Sequence, residues 1–447
     1  MSANSAKSQP ATMRNFFFVW FGQLISTLGS GLTSFALGVW IYLETGSTTL
    51  FAINLLAFTL PSVLLSPFLG SLVDRWDRRW VMIINDAASA VTTLFILILL
   101  YTGHLEVWHI YLATFLNSAF NTSQWIAYSS SVTMLVPKEQ LGRAGGMDQV
   151  GGSISMLVAP FVAGSLFVSI GLQGIILIDF VTFAIAVITL LLIRIPRPEK
   201  VEQDDEKERT IFQDAIFGWK YIFRRRGLFA LIIYFAGIHF VVGMIEVLLQ
   251  PMLLDMTTPE TMGIMLSSMG FGALGGTLLM SLWGGPKRRI LGILITGIFQ
   301  GFILFGFGVS ISLVVITGAI FVFSLLDPIV SGSSQAFWQS KIPPAIQGRV
   351  FAVRRMTSRF TISLAIVVAG PLADNVFEPL FEDGGALAAS IGSFIGTGAG
   401  RGTGFLFVLL GLAFTIMSII GLAYPPLRNV EILDSTSDED AEITTPS

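Results

Sequence analysis

Asn117, Asn121 and Gln124 stand in a mostly apolar run at intervals of four and three, so on a helix they share one face. Such a face can bond a ligand or tie neighbouring helices together, and the spacing leaves both open. Glu246 and Asp327 are carboxylates set in apolar runs. A charge in such surroundings costs about 2.5–3.5 kcal/mol on insertion scales, so each points to proton or ion chemistry, or to a partner cation. Asp327 precedes Pro328, where a kinked backbone could use it instead. A different pattern fills residues 70–80, "GSLVDRWDRRW", where Asp74, Arg75, Asp77, Arg78 and Arg79 crowd together between long apolar stretches. The chain has no cysteine, which excludes disulfides, thiol catalysis and Cys-ligated metals. Of three histidines, His104 and His109 belong to a different face of the membrane from His239, so no convergent set of a membrane enzyme forms. The glycine-rich "GGALAASIGSFIGTGAGRGTG" has no preceding strand and no P-loop Lys-Ser/Thr. No catalytic residue, metal or cofactor is expected.

The elements that position these residues follow from composition. Of 447 residues 53% are hydrophobic and 12% charged, with mean hydropathy +0.75. Soluble domains have about 25% charged residues. The chain is expected to be an all-α, multi-pass membrane protein. A helix needs about 20 apolar residues to cross a bilayer, and that ruler finds twelve candidates. Spans 1 to 6 read 15–43, 49–72, 80–101, 107–135, 144–169 and 173–194. Spans 7 to 12 read 228–253, 260–283, 289–308, 312–339, 349–375 and 403–424. With both termini in the cytoplasm, Arg401 alone of the 26 Lys and Arg falls outside, as the positive-inside rule demands.

The expected organisation is a cytoplasmic segment 1–14, a six-helix bundle 15–195, a cytoplasmic linker 196–227, a second bundle 228–425 and an acidic, disordered tail 426–447. Residues 376–402 read as a long external loop. In the linker, Ile211, Ala215, Ile216, Trp219, Ile222 and Phe223 recur at helical spacing before Arg224, Arg225 and Arg226, which predicts an amphipathic helix on the membrane surface. The net charge of -3 is uninformative about partners, and no nucleic-acid partner is expected.

Two stretches 206 residues apart align, with Pro137 over Pro343, Gly142 over Gly348, Arg143 over Arg349 and Gly164 over Gly370. Two six-helix halves in parallel repeat are the result. The chain resembles the major facilitator superfamily over essentially its whole length. "GSLVDRWDRR" is similar to that superfamily's G-x-x-x-D-R-x-G-R-R signature, with Asp77 where glycine is usual. "SMLVAPFVAG" resembles the antiporter motif G-x-x-x-G-P-x-x-G-G, with Ser155, Ala159 and Ala163 as small stand-ins. "GQLISTLGSGLTSFALGVW" and "SSQAFWQSKIPPAIQGRVFAVRR" are similar to the macrolide-efflux and siderophore-exporter branch. One departure is that span 4 has no arginine, which many exporters carry there.

The resemblance implies a central cavity lined by spans 1, 4, 7 and 10. The substrate candidates are then Gln23, Ser26 and Ser30, Asn117, Asn121, Gln124 and Trp125, His239 and Glu246, and Asp327, Ser331 and Gln335. It also implies proton-coupled export of an amphipathic small molecule by a monomer in the cell membrane. Glu246, lacking a basic residue at its depth, is the expected proton site. Asp327, roughly 18 Å from the cytoplasmic end of span 10, and Arg359, about 15 Å into span 11, lie at similar depth on adjacent spans and are expected either to pair or to leave Asp327 free to titrate. For gating, Asp74 is expected to meet the start of span 11 with Arg354 and Arg355, and Asp148 the loop with Lys287 and Arg288. Arg75, Arg78 and Arg79 are expected on local acids such as Asp77 and Asp86, or on anionic lipid. Rival readings are an exporter of an endogenous product such as a siderophore or lipid, and a transport-dead scaffold or sensor.

Overall fold

The computed structural model describes residues 13–193 and 211–433. The expectations for the N-terminal twelve residues, most of the linker and the tail from 434 lie outside the described residues. The described chain is helical, and nine of its helices are long and apolar enough to cross a membrane. Span 2 is interrupted at Leu65, into Thr48–Leu64 and Ser66–Arg75, beside Pro61 and Pro67. Span 4, Val107–Leu135, carries so many amides and hydroxyls that it is not among the nine. The 52-residue helix Leu141–Leu192 would be about 78 Å long if straight, against a hydrocarbon core of about 30 Å. It breaks at Gly171, whose φ of 69° suits glycine, and so holds spans 5 and 6. Together these agree with the twelve spans expected.

The described residues form two units, 13–193 with 257–267, and 211–256 with 268–433. In the first, span 1 (Met13–Thr45) packs on spans 5 and 6, and span 3 (Arg78–Tyr101) on spans 4 and 6. Small residues set the distances. A Cβ on Gly29 would run into Thr182 and Asp179 of span 6, and one on Gly31 would sit 2.9 Å from Ala159 of span 5. The start of span 8 (Pro259–Trp283) joins this unit beside Gly164, where a Cβ would lie 2.6 Å from the Pro259 carbonyl oxygen.

In the second unit, span 7 (Arg226–Met256) packs on span 11 (Pro344–Leu372), and span 9 (Arg289–Val309) on span 12 (Arg401–Ala423) and span 10 (Leu313–Lys341). Gly243 permits the first approach, since a Cβ there would lie 2.9 Å from the Ile362 carbonyl oxygen. The amphipathic helix, Ile211–Arg224, docks on span 11. A Cβ on Gly218 would lie 2.7 Å from the Arg349 carbonyl oxygen, and Arg349 sits 5.0 Å over the Phe217 ring. The segment after span 11 holds two short helices, Glu378–Phe381 and Gly392–Ile395.

Candidate functional site

Polar residues of spans 1, 3, 4 and 6 meet inside the first unit around a cavity of about 120 Å³. Span 1 contributes Gln23, Ser26 and Ser30, and span 4 contributes Asn117, Asn121 and Gln124. These six sequence candidates are therefore brought together. Trp125 is not among the lining residues. It is one position, about 100°, around the helix from Gln124 and 63% exposed on the outer face.

Asp86 of span 3, 4% exposed, is one of the lining residues. Gln23 Nε2 donates to its Oδ2 at 3.3 Å and Gln124 Nε2 at 3.0 Å, while Gln124 also donates to Gln23 Oε1 at 3.0 Å. This corrects the expectation that Asp86 serves the arginines of residues 70–80. Arg78 and Arg79 find carbonyl oxygens instead. Arg78 donates to Ser130 at 3.0 Å, and Arg79 to Leu190 and Leu191, at 2.8 and 2.7 Å, in the last turn of span 6. The last four carbonyls of a helix lack internal partners, so an arginine there satisfies them. Asp77 caps the start of span 3, its Oδ1 accepting from Arg79 N at 3.1 Å. The side chains of Asp74 and Arg75 lie outside the described residues.

Asp179 of span 6, 2% exposed, lines the same cavity. Ser30 and Thr182 each donate to its Oδ1 at 3.4 Å. Sequence reasoning passed over it, although one carboxylate within "GIILIDFVTFAIAV" is itself the signal of a functional charge. Asn85, Ser89 and Asn54 were missed as well. Asn85 and Ser89 recur with Asp86 on span 3, a span that the inferred fold did not assign to the cavity. Asp148, on span 5, has Tyr128 as its partner within this unit, the phenol donating to Oδ1 at 2.6 Å.

The candidates of the second unit are arranged differently. Arg354 turns into its own unit, donating to Gln335 Oε1 and Ser334 Oγ, each at 3.1 Å. It lies 5.8 Å from the Trp338 ring and 6.0 Å from that of Phe235, and shares a small pocket with His239. Arg355 is exposed. Glu246 and Asp327 are exposed on the unit's surface. Arg359, on the span packed against span 7, is exposed as well. Spans 7 and 11 are in contact, and Arg359 lies one turn before Ile362, the residue that faces Gly243.

The sequence model of the Major Facilitator Superfamily matches residues 19–366. Macrolide efflux protein A of Streptococcus pyogenes is 30% identical over 371 residues, 81% of this chain and 90% of that protein. Macrolide efflux protein A of Enterococcus faecalis is 32% identical over 318 residues, 69% of this chain and 96% of that one. Among solved structures, a bacterial homologue of the human lysosomal transporter Spinster superposes with a TM-score of 0.67 at 14% identity, over 96% of this chain and all of that one.

Proposed function

This chain belongs to the major facilitator superfamily of membrane transporters, and on that premise we propose that it exports amphipathic, macrolide-like small molecules by proton-coupled antiport. The observation that carries the reading is the first unit's cavity, where amides, hydroxyls and two carboxylates meet Leu37, Phe58 and Phe183. Its lining is mostly polar, with three apolar side chains among eighteen residues, which suits the polar groups of an amphipathic compound and leaves a smaller apolar contact for its body. The resemblance to two macrolide efflux proteins supports the direction of transport. The chain acts as a monomer in the cell membrane with both termini in the cytoplasm, an orientation supported by the exclusion of Lys and Arg, except Arg401, from the external segments.

The energetics allow it. One proton entering down about 100 mV supplies about 2.3 kcal/mol, enough for roughly a fifty-fold gradient of a neutral compound. The test is accumulation of a labelled macrolide in a bacterial host stripped of its own drug pumps. Cells making the chain should hold less of it, and a protonophore should abolish the difference. Equal accumulation with and without the chain would remove export. A difference that survives collapse of the proton gradient would remove the coupling.

A further inference from the structure

Arg354 stands about 15 Å along span 11 from its first residue. A charge at such depth is costly and normally meets an opposite one. Its bonds go to neutral groups instead, Gln335 Oε1 and Ser334 Oγ of span 10. Among the described residues its bonded partners include no carboxylate. A guanidinium has five N–H groups, and two are used there. The rings of Trp338 and Phe235 attract it weakly, without cancelling its charge.

A second observation points to a ligand. Trp338 is wholly buried, and its indole N–H has no acceptor. Buried donors are normally satisfied. Trp338 and Arg354 line one pocket together with His239, Thr357 and Ser358, and no residue of that wall is acidic. Thr357 gives its proton to the Val353 carbonyl at 3.0 Å, while the Ser358 hydroxyl can donate. The wall therefore offers a positive charge and N–H or O–H donors. A third observation sets the size of what it can take. The pocket measures about 10 Å³, room for one particle of about a water's size. A chloride ion is only slightly larger than water, whereas sulfate, phosphate and carboxylates carry several heavy atoms. Water would satisfy the indole and leave the guanidinium charge unmatched.

We propose that this pocket is a halide site, in which one chloride accepts from Trp338 Nε1 and from the unused N–H groups of Arg354 and ties span 10 to span 11. It belongs to the second unit and shares no residue with the first unit's cavity. It goes beyond the export reading and does not rest on it.

The test uses the purified full-length chain in detergent at neutral pH, with sodium gluconate holding the ionic strength constant. Bound chloride is read from the excess width of the chloride nuclear magnetic resonance line over protein-free buffer. The excess should saturate with chloride, and bromide should remove it by competition while sulfate does not. The thermal midpoint should rise with chloride or bromide and stay unchanged with sulfate, because a ligand of the folded state stabilises it. Trp338→Phe keeps a ring and loses the N–H, and should weaken chloride binding at least about tenfold. Arg354→Gln should weaken it at least as much, and Arg354→Lys, which keeps the charge, should weaken it less. Arg224→Gln, at an exposed cation in the same unit, should bind as the unmodified chain does. Each variant is scored as a monodisperse species, and Trp338→Phe decides should Arg354→Gln fail to give one. Broadening that bromide leaves in place, or that sulfate removes equally well, overturns the site. Wild-type chloride affinity in both Trp338→Phe and Arg354→Gln places the anion elsewhere and overturns it too. An equal loss in Arg224→Gln reduces the binding to surface charge. None of these readouts measures transport, so failure of the export reading leaves the site standing, and failure of the site leaves the export reading.

Discussion

Arg79 shows how a charge near a membrane face can be structural. Its guanidinium bonds the Leu190 and Leu191 carbonyls, which end span 6 and have no helical partner of their own. Hydrogen bonds to a charged group contribute about 1.5–3 kcal/mol. Arg79→Gln should therefore lower stability by about that amount, read as a drop in the thermal midpoint of the purified protein. Arg143→Gln, at an exposed side chain, should leave it unchanged within about 0.5 kcal/mol. An equal drop in both would reduce Arg79 to a topology signal. Arg401, the exception to the charge rule, has a similar explanation. It is buried and donates to the Ser310 and Ile395 carbonyls at 3.2 and 2.9 Å. Glu378 caps the same helix start, accepting from Thr403 N at 2.7 Å and Oγ1 at 2.6 Å. An arginine folded into such a network no longer orients the chain. Residue types and their depth were readable from sequence, but their partners were not. Asp86 was assigned to arginines a few positions away, yet its donors come from 63 and 38 residues' distance. Nearness in sequence gave no warning of that, since the helices that carry the donors are brought together only by packing.

Helix approach is set by glycine at the element scale. Span 1 lies on span 6 because Gly29 presents only hydrogen towards Thr182 and Asp179. Overpacking a close contact costs about 1–3 kcal/mol. Gly29→Ala should destabilise the chain by about that much, and Thr182→Ala in the same chain should recover part, since Thr182 Oγ1 is the nearest atom to the new methyl. Melting of the two single variants and the double variant measures the coupling. Strictly additive losses would show that the contact does not set the approach. Most elements were legible because apolar runs of one bilayer's thickness leave few choices. The fold at Gly171 was marked by the glycine between spans 5 and 6, and the helix ahead of span 7 by its spacing. The interruption of span 2 at Leu65 was not, because Pro61 and Pro67 sit in an apolar run that continues across the break. The role of span 3 was hidden for another reason. Asn85, Asp86 and Ser89 occupy its first half, close to the basic cluster, and there they look like part of a cytoplasmic end.

For the whole molecule, the export reading requires the first unit's cavity to be reachable from one side of the membrane at a time. The chain contains no cysteine, so a single one can be placed without removing others. Asn121 is suited to it, being exposed and lining the cavity without a carboxylate role. Asn121→Cys in inverted membrane vesicles should react with a sulfonated maleimide that cannot cross the bilayer. If substrate enters this cavity, a saturating exported macrolide should slow the labelling at least about tenfold, as expected when at least about nine-tenths of the sites are occupied. The same macrolide should not slow labelling of Tyr101→Cys, an exposed position at the end of span 3, in vesicles made permeable to the reagent. Protection also carries a sign with pH. If protons and macrolide compete for Asp86 and Asp179, the macrolide concentration giving half protection should rise as the medium is acidified. Labelling of Asn121→Cys that ignores the macrolide while export continues would place the substrate path elsewhere in the protein. Protection without any pH dependence would keep the path here and separate it from the carboxylates.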